Sequence, residues 1–313
     1  MPIKWKSKIL LAKIETTYGV DPVPTGAANA ILATNIVLQP MEGQDVSREL
    51  ELPWLAAQAT IPAGLHVRMT FRVELVPSGA AGTAPAWGPL LRACGVAQTV
   101  NASTSVVYNP VTDSHESATF YFWVGLTRYV MKGTRGSCVL RFTAQGIAYL
   151  EFSFTGLFSL PTEQARATPT LSAFLKPDLV TSANTPTFTV DAVAMVMRSF
   201  ALDLGNDVQP RFLVGAENVL IVDRADLMTT QVEALPLSGG GSWDPFAKAS
   251  AQTAVAINLI HGTVAGRKAT LAAAGAQVQR LQGLENQQNI KEWPLRLVPL
   301  PTSGNDQWTL TLT

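Results

Sequence analysis

The chain has 313 residues, 47% of them hydrophobic and only 15% charged, which is ample for two packed domains and excludes disorder over its bulk. Lysine plus arginine equals aspartate plus glutamate, 23 each. That balance excludes a free-standing nucleic-acid binder, which needs a basic excess, and leaves a charge-poor surface prone to self-association.

The basic start, Lys4 to Lys8, runs into Ile9-Leu10-Leu11-Ala12. Lys13 and Glu15 cut that apolar run too short for a signal-peptide core. No window is long and apolar enough to cross a membrane. Residues 1–30 are expected to form an N-terminal arm. Alternating residues then predict strands at 35–38 and 67–76, where Val67, Met69, Phe71, Val73 and Leu75 alternate with polar side chains. Glycines follow, and Pro89 opens a short helix that ends at Cys94-Gly95. Further strands are expected at 118–124, 137–144 and 147–154, the last two a hairpin around Gln145-Gly146. Residues 160–190, rich in Pro, Ser and Thr, read as a tether.

Beyond the tether the pattern starts again. Residues 69–77 match residues 228–236 at one fixed spacing, with Met69/Met228, Thr70/Thr229, Val73/Val232, Glu74/Glu233 and Pro77/Pro236 identical. Small residues follow in both, then Trp87-Gly-Pro and Trp243-Asp-Pro. Gly136 is placed against Gly275, and Glu151-Phe152 against Glu292-Trp293. Second-copy strands are expected at 199–204, 254–260, 277–281 and 290–298. The reading is a tandem duplication: a mainly β chain of two antiparallel β-sandwich or barrel domains, 31–159 and 191–313, each with one short helix.

Candidate chemistry is sparse. Asp113-Ser114-His115-Glu116 resembles a metal cluster in composition but reads as a polar loop. Ser238-Gly239-Gly240-Gly241-Ser242 lacks the lysine of a phosphate loop and reads as a turn. Cys94 and Cys138 read as buried small residues. Asp223 and Asp226 beside Arg224 read as a solvated loop. Scattered tryptophans read as packing. No catalytic, cofactor or metal site is expected, and a non-enzymatic role follows.

Residues Lys13-Ile14-Glu15-Thr16-Thr17-Tyr18-Gly19, then Pro24-Thr25-Gly26 and Asn29-Ala30-Ile31-Leu32, resemble the start of the tail tube (major tail) proteins of long-tailed, non-contractile bacteriophages. The resemblance implies a structural virion protein, made in the host cytoplasm, whose rings stack into the tail's conduit for genome delivery. With two fused tube domains per chain, it implies three chains per pseudo-sixfold ring. It further implies a tape-measure protein in the lumen, a tail terminator and baseplate or distal tail proteins as partners, DNA passing without tight binding, and no membrane. Loop 41–66 carries Leu50, Leu52, Trp54 and Leu55, large apolar groups that need a cover. The resemblance assigns them to ring stacking. Ile14, Tyr18 and Ile31 are candidate interface residues of the N-terminal arm. The alternative is a β-barrel tail component that binds a ligand or carbohydrate.

Overall fold

The computed structural model describes residues 2–313. The chain is mainly β and antiparallel, with three short helices among the described residues. Its sheets pack as layers, and among the described residues they do not close into a barrel.

The first unit has the strand order Thr34–Ser47, Thr60–Glu74, Tyr149–Leu157, Thr127–Thr143, Ala118–Val124, Lys8–Ile14. The second has Met197–Asp203, Leu227–Glu233, Ile290–Pro299, Ala269–Val278, Ala254–His261, Thr187–Val190. Strand order and direction agree throughout. Leu38 opposes Met69 as Leu202 opposes Met228. Each unit carries its helix at the same point, Gly88–Arg92 and Pro245–Ser250, entered from a buried Trp87 or Trp243. The second is capped by Asp244, whose carboxylate accepts from the Phe246 and Ala247 amides.

Pair registers correct two of the sequence matches. Phe154 opposes Met69 and Leu297 opposes Met228, so the counterpart of Glu151 is Pro294, not Glu292. Gly136 opposes Phe154 and Val278 opposes Leu297, so Gly136 matches Val278 rather than Gly275. The first is a slip of two, which leaves the inside–outside pattern intact; the second is a slip of three, which sets the buried Gly136 against a residue of the other face. Short identities along a strand therefore cannot define register.

The supposed arm and tether are built into the units. Lys8–Ile14 pairs along its whole length with Ala118–Val124. Both of its faces are covered: Leu10 and Ala12 join the main core, while Ile9 and Leu11 pack with Ala30, Tyr121 and Trp123. The end of the tether supplies Thr187–Val190, with Phe188 and Val190 buried.

Two seams fuse the units. The far half of Thr127–Thr143 pairs with Met197–Asp203, with Phe142 opposite Phe200 and Leu140 opposite Leu202. Strand Thr309–Leu312 crosses back to Ser105–Pro110, with Leu310 opposite Tyr108. Backbone hydrogen bonds thus run without a break from one unit into the other. Between the layers lies one core, which includes Phe71, Phe120, Phe152 and Phe154 from the first unit and Trp243, Trp293, Leu295 and Leu297 from the second.

A buried histidine reports on this packing. His261 Nδ1 lies 2.9 Å from the Thr185 hydroxyl oxygen, and the ring meets Phe142 of the first unit edge-on at 5.6 Å. Burial lowers its pKa below the usual 6.5, against the opposing pull of Asp178. His115 is shifted the same way, by burial first and by Arg224 and Arg135. The unfolded chain then takes up these protons at a higher pH than the folded one, so stability falls as pH drops through about 6.5. The urea midpoint is expected to decrease from about pH 7.5 to 5.5, above the range of ordinary carboxylates, and His261→Asn should flatten that decrease. A parallel pH profile in the variant would assign the effect elsewhere.

Candidate assembly surfaces

Alternation along the joined sheet sorts its two faces. Val67, Met69, Phe71 and Val73 point to the core, while Arg68, Thr70 and Arg72 are exposed on the other side. Continuing across the seam, that outer face carries Ser153, Glu151, Arg141, Asp203, Thr229, Gln231, Glu233 and Arg296. Its charges are largely matched. Glu151 sits between Arg72 at 2.9 Å and Arg141 at 3.3 Å. Glu292 accepts from the Arg198 guanidinium at 2.8 Å, and this hydrogen bonding holds its carboxyl below the usual range. The more open Arg72–Glu151–Arg141 group adds little stability and fixes where the charge stands; Glu292 is buried beneath Arg198.

From this sheet two hairpins project. In the second unit, Asn206–Leu213 and Ala216–Arg224 form a two-stranded ribbon that lies across the first unit. The Asn206 side-chain amide donates to the Cys94 and Gly136 carbonyls. Arg224 donates to Asn206 Oδ1 and to the Cys94 and Gly95 carbonyls. The Val219 amide donates to the Tyr18 hydroxyl at 2.6 Å, and its carbonyl accepts from Arg135. Arg135 in turn lies over the Tyr18 ring at 5.0 Å.

Arg224 and Asp226 are therefore not the solvated loop that their sequence suggested. Arg224 is part of the contact between units. Asp226 accepts from the Gln307 amide and the Trp308 indole, and burial raises its pKa. Asn206 and Arg135 had no sequence signal: a polar residue aimed at backbone carbonyls from a distant segment has no periodicity to betray it.

The first unit's hairpin is longer and lies open. Thr34–Ser47 and Thr60–Glu74 pair through three irregularities, out to Ser47 opposite Thr60. What reads as a loop over 41–66 is thus mostly paired strand. At its tip, Gln58 exchanges hydrogen bonds with the Leu50 amide and carbonyl. Leu50, Leu52, Trp54 and Leu55 are all exposed there, Trp54 at 63% and Leu55 fully.

The other candidate interface residues are used within the chain. Ile31 is buried in the main core and Ile14 packs against it. Tyr18 joins the two units. The polar cluster at 113–116 is likewise occupied: Glu116 takes a bidentate pair from Arg92, and His115 Nε2 lies 3.0 Å from the Val111 carbonyl. Among the described residues, no group of three His, Cys, Asp or Glu is placed to hold a metal ion. Cys94 and Cys138 are buried, and burial pushes both thiols well up from their ordinary pKa, the opposite of a reactive cysteine. A side chain at Gly239, Gly240 or Gly241 would meet nothing within 4 Å, as expected of a free turn.

Compared with protein-family models and with curated proteins, the chain matches none.

Proposed function

We propose that the chain is a structural, non-enzymatic subunit that self-assembles head to tail into rings of three chains, stacked as the tail tube of a long-tailed bacteriophage. The observation that carries this reading is the continuous sheet. Two units of one topology, fused through backbone pairing, present one polar and charge-matched face and one set of projecting hairpins. A repeated contact that is not self-complementary generates closed rings when its rotation closes. The resemblance at residues 13–32 supports the same reading. The polar face would line the lumen, with a tape-measure protein inside during assembly. Tail terminator and baseplate or distal tail proteins would cap the ends.

Electron microscopy of the purified protein tests this directly. Tubes or stacked rings with three chains per ring are expected, whereas monodisperse globules at every concentration, or six chains per ring, would overturn it.

A conduit should not grip its cargo, because each cation paired with a phosphate adds affinity. Glu151 holds Arg72 and Arg141 away from that role. Glu151→Gln is expected to steepen the salt dependence of duplex DNA binding by assembled protein, by about one to two in the slope of log affinity against log salt. An unchanged slope would show that this face does not meet DNA.

A further inference from the structure

Within the chain, the first strand of the second unit, Met197–Asp203, lies between Leu227–Glu233 and the far half of Thr127–Thr143. Its counterpart in the first unit is the start of Thr34–Ser47, which has a partner on one side only. Asn35, Val37 and Gln39 are exposed along that edge, where no strand pairs and the Ile36 carbonyl accepts from the Lys8 ammonium at 3.3 Å. The counterpart of the far half of Thr127–Thr143 is the segment that follows Val278. There the Gln279 amide still donates to the Arg296 carbonyl, but Gln282, Gly283 and Leu284 are exposed and in no strand. Each chain therefore leaves two halves of one contact unpaired, one at each end of its sheet, and holds the same contact already made in its middle.

Bare strand edges are templates for pairing with another chain. We infer that residues 35–39 of one chain add antiparallel to residues 279–285 of a second copy and so repeat the internal seam. The inference rests on the self-assembly proposed above and gives it a contact and a register. Ala201 opposes Arg141 inside the chain. The counterpart of Ala201 is Val37. The counterpart of Arg141 is Gly283 if the register of Gln277 opposite Val298 continues, or Glu285 if the register of Glu285 opposite Glu292 holds. The two positions differ by two residues and face the same way. Repeating the internal seam also lays the base of the long hairpin over the neighbour's second unit, as the ribbon 206–224 lies over the first. The hairpin tip is left to reach an adjacent ring.

Disulfide trapping between two kinds of chain tests this. Chains with Val37→Cys are mixed with chains carrying Gly283→Cys or Glu285→Cys, and oxidised. The substituted positions are exposed, and the native cysteines are buried. A covalent heterodimer is expected from at least one mixture, formed at least about five-fold more than with Gln282→Cys or Leu284→Cys, because those two alternate to the opposite face of the strand and a disulfide needs Cβ vectors that converge. If neither mixture cross-links although microscopy shows rings or tubes, the register inference is wrong and the tube reading stands. Equal yields at all four positions would also overturn it, as the signature of random collision. Chains that neither cross-link nor assemble overturn both.

Discussion

Replacing Glu15 with alanine is expected to lower stability by about 3 kcal/mol or more, although no part of the residue touches the polar face or the hairpins. Its carboxylate is buried and accepts four hydrogen bonds. Ser117 Oγ and the Gly19 amide approach Oε2 at 2.5 and 2.8 Å; Thr119 Oγ1 and the Gly133 amide approach Oε1 at 2.6 and 2.8 Å. These donors come from three separate segments, and truncation leaves them without a partner where water is scarce. Glu15→Gln keeps the Oε1 contacts but sets an NH2 group against the Gly19 amide, so its cost should be smaller, about 1 to 2 kcal/mol. Chemical denaturation of both variants checks the order. An alanine variant within about 1 kcal/mol of the parent would show that water or a rearrangement replaces the carboxylate. The motif around Glu15 thus has a physical explanation. Glu15 ties the turn to the sheet, Gly19 adopts a positive φ of 71° that favours glycine, and Tyr18 presents its hydroxyl to the second unit.

The second large effect concerns the hairpin tip. Leu52→Ser with Trp54→Ser should leave a folded chain that forms rings or low oligomers but no long tubes. Both side chains are exposed in the single chain, so their removal costs the fold little, whereas a large aromatic that becomes buried between partners dominates an interface. Truncating two such anchors costs about 2 kcal/mol or more per contact, and the loss recurs at every copy around the ring. Tube length measured by electron microscopy, with circular dichroism to establish folding, checks this. Tubes of normal length from the double variant would defeat the assignment of the tip to stacking.

Where burial is one-sided, the fold was legible in the sequence. Residues 67–76 alternate because one face meets the core and the other meets solvent, and the strands at 254–261 and 290–299 carry the same signal; Ala118–Val124 is buried on both faces and reads as a strand from its run of aromatic residues. Both helices were marked by Trp and Pro. The signal failed in three physical situations. Ile9 to Ala12 is covered on both faces, so it appears as an apolar run with no period. In the long hairpin, Val37, Met41, Val46 and Ile61 are exposed and the pairing is irregular, so no hydrophobic contrast remains to read. Strands Val96–Asn101, Ser105–Pro110 and Thr309–Leu312 were missed because they are short; the first two pair with each other across a tight turn, whereas the partners of Thr309–Leu312 lie far back along the chain. Of the candidate surfaces, the apolar tip was legible as uncovered apolar mass. The contacts of Arg224, Asn206 and Arg135 were not, because they are made mostly to backbone atoms of distant segments.

The crossing strand has a consequence for the timing of synthesis. Tyr108 emerges early and finds its neighbour Leu310 only after most of the remaining chain has been made. At roughly 5–20 residues per second, that interval is on the order of tens of seconds. Until then Ser105–Pro110 has Val96–Asn101 on one side and a vacancy on the other, and the first unit waits with an incomplete sheet. A nascent chain in that state lacks the finished ends that a neighbour would have to recognise. In the proposed tube this order would hold polymerisation back until translation of the second unit is done, and would keep a crowded polysome from joining half-made subunits.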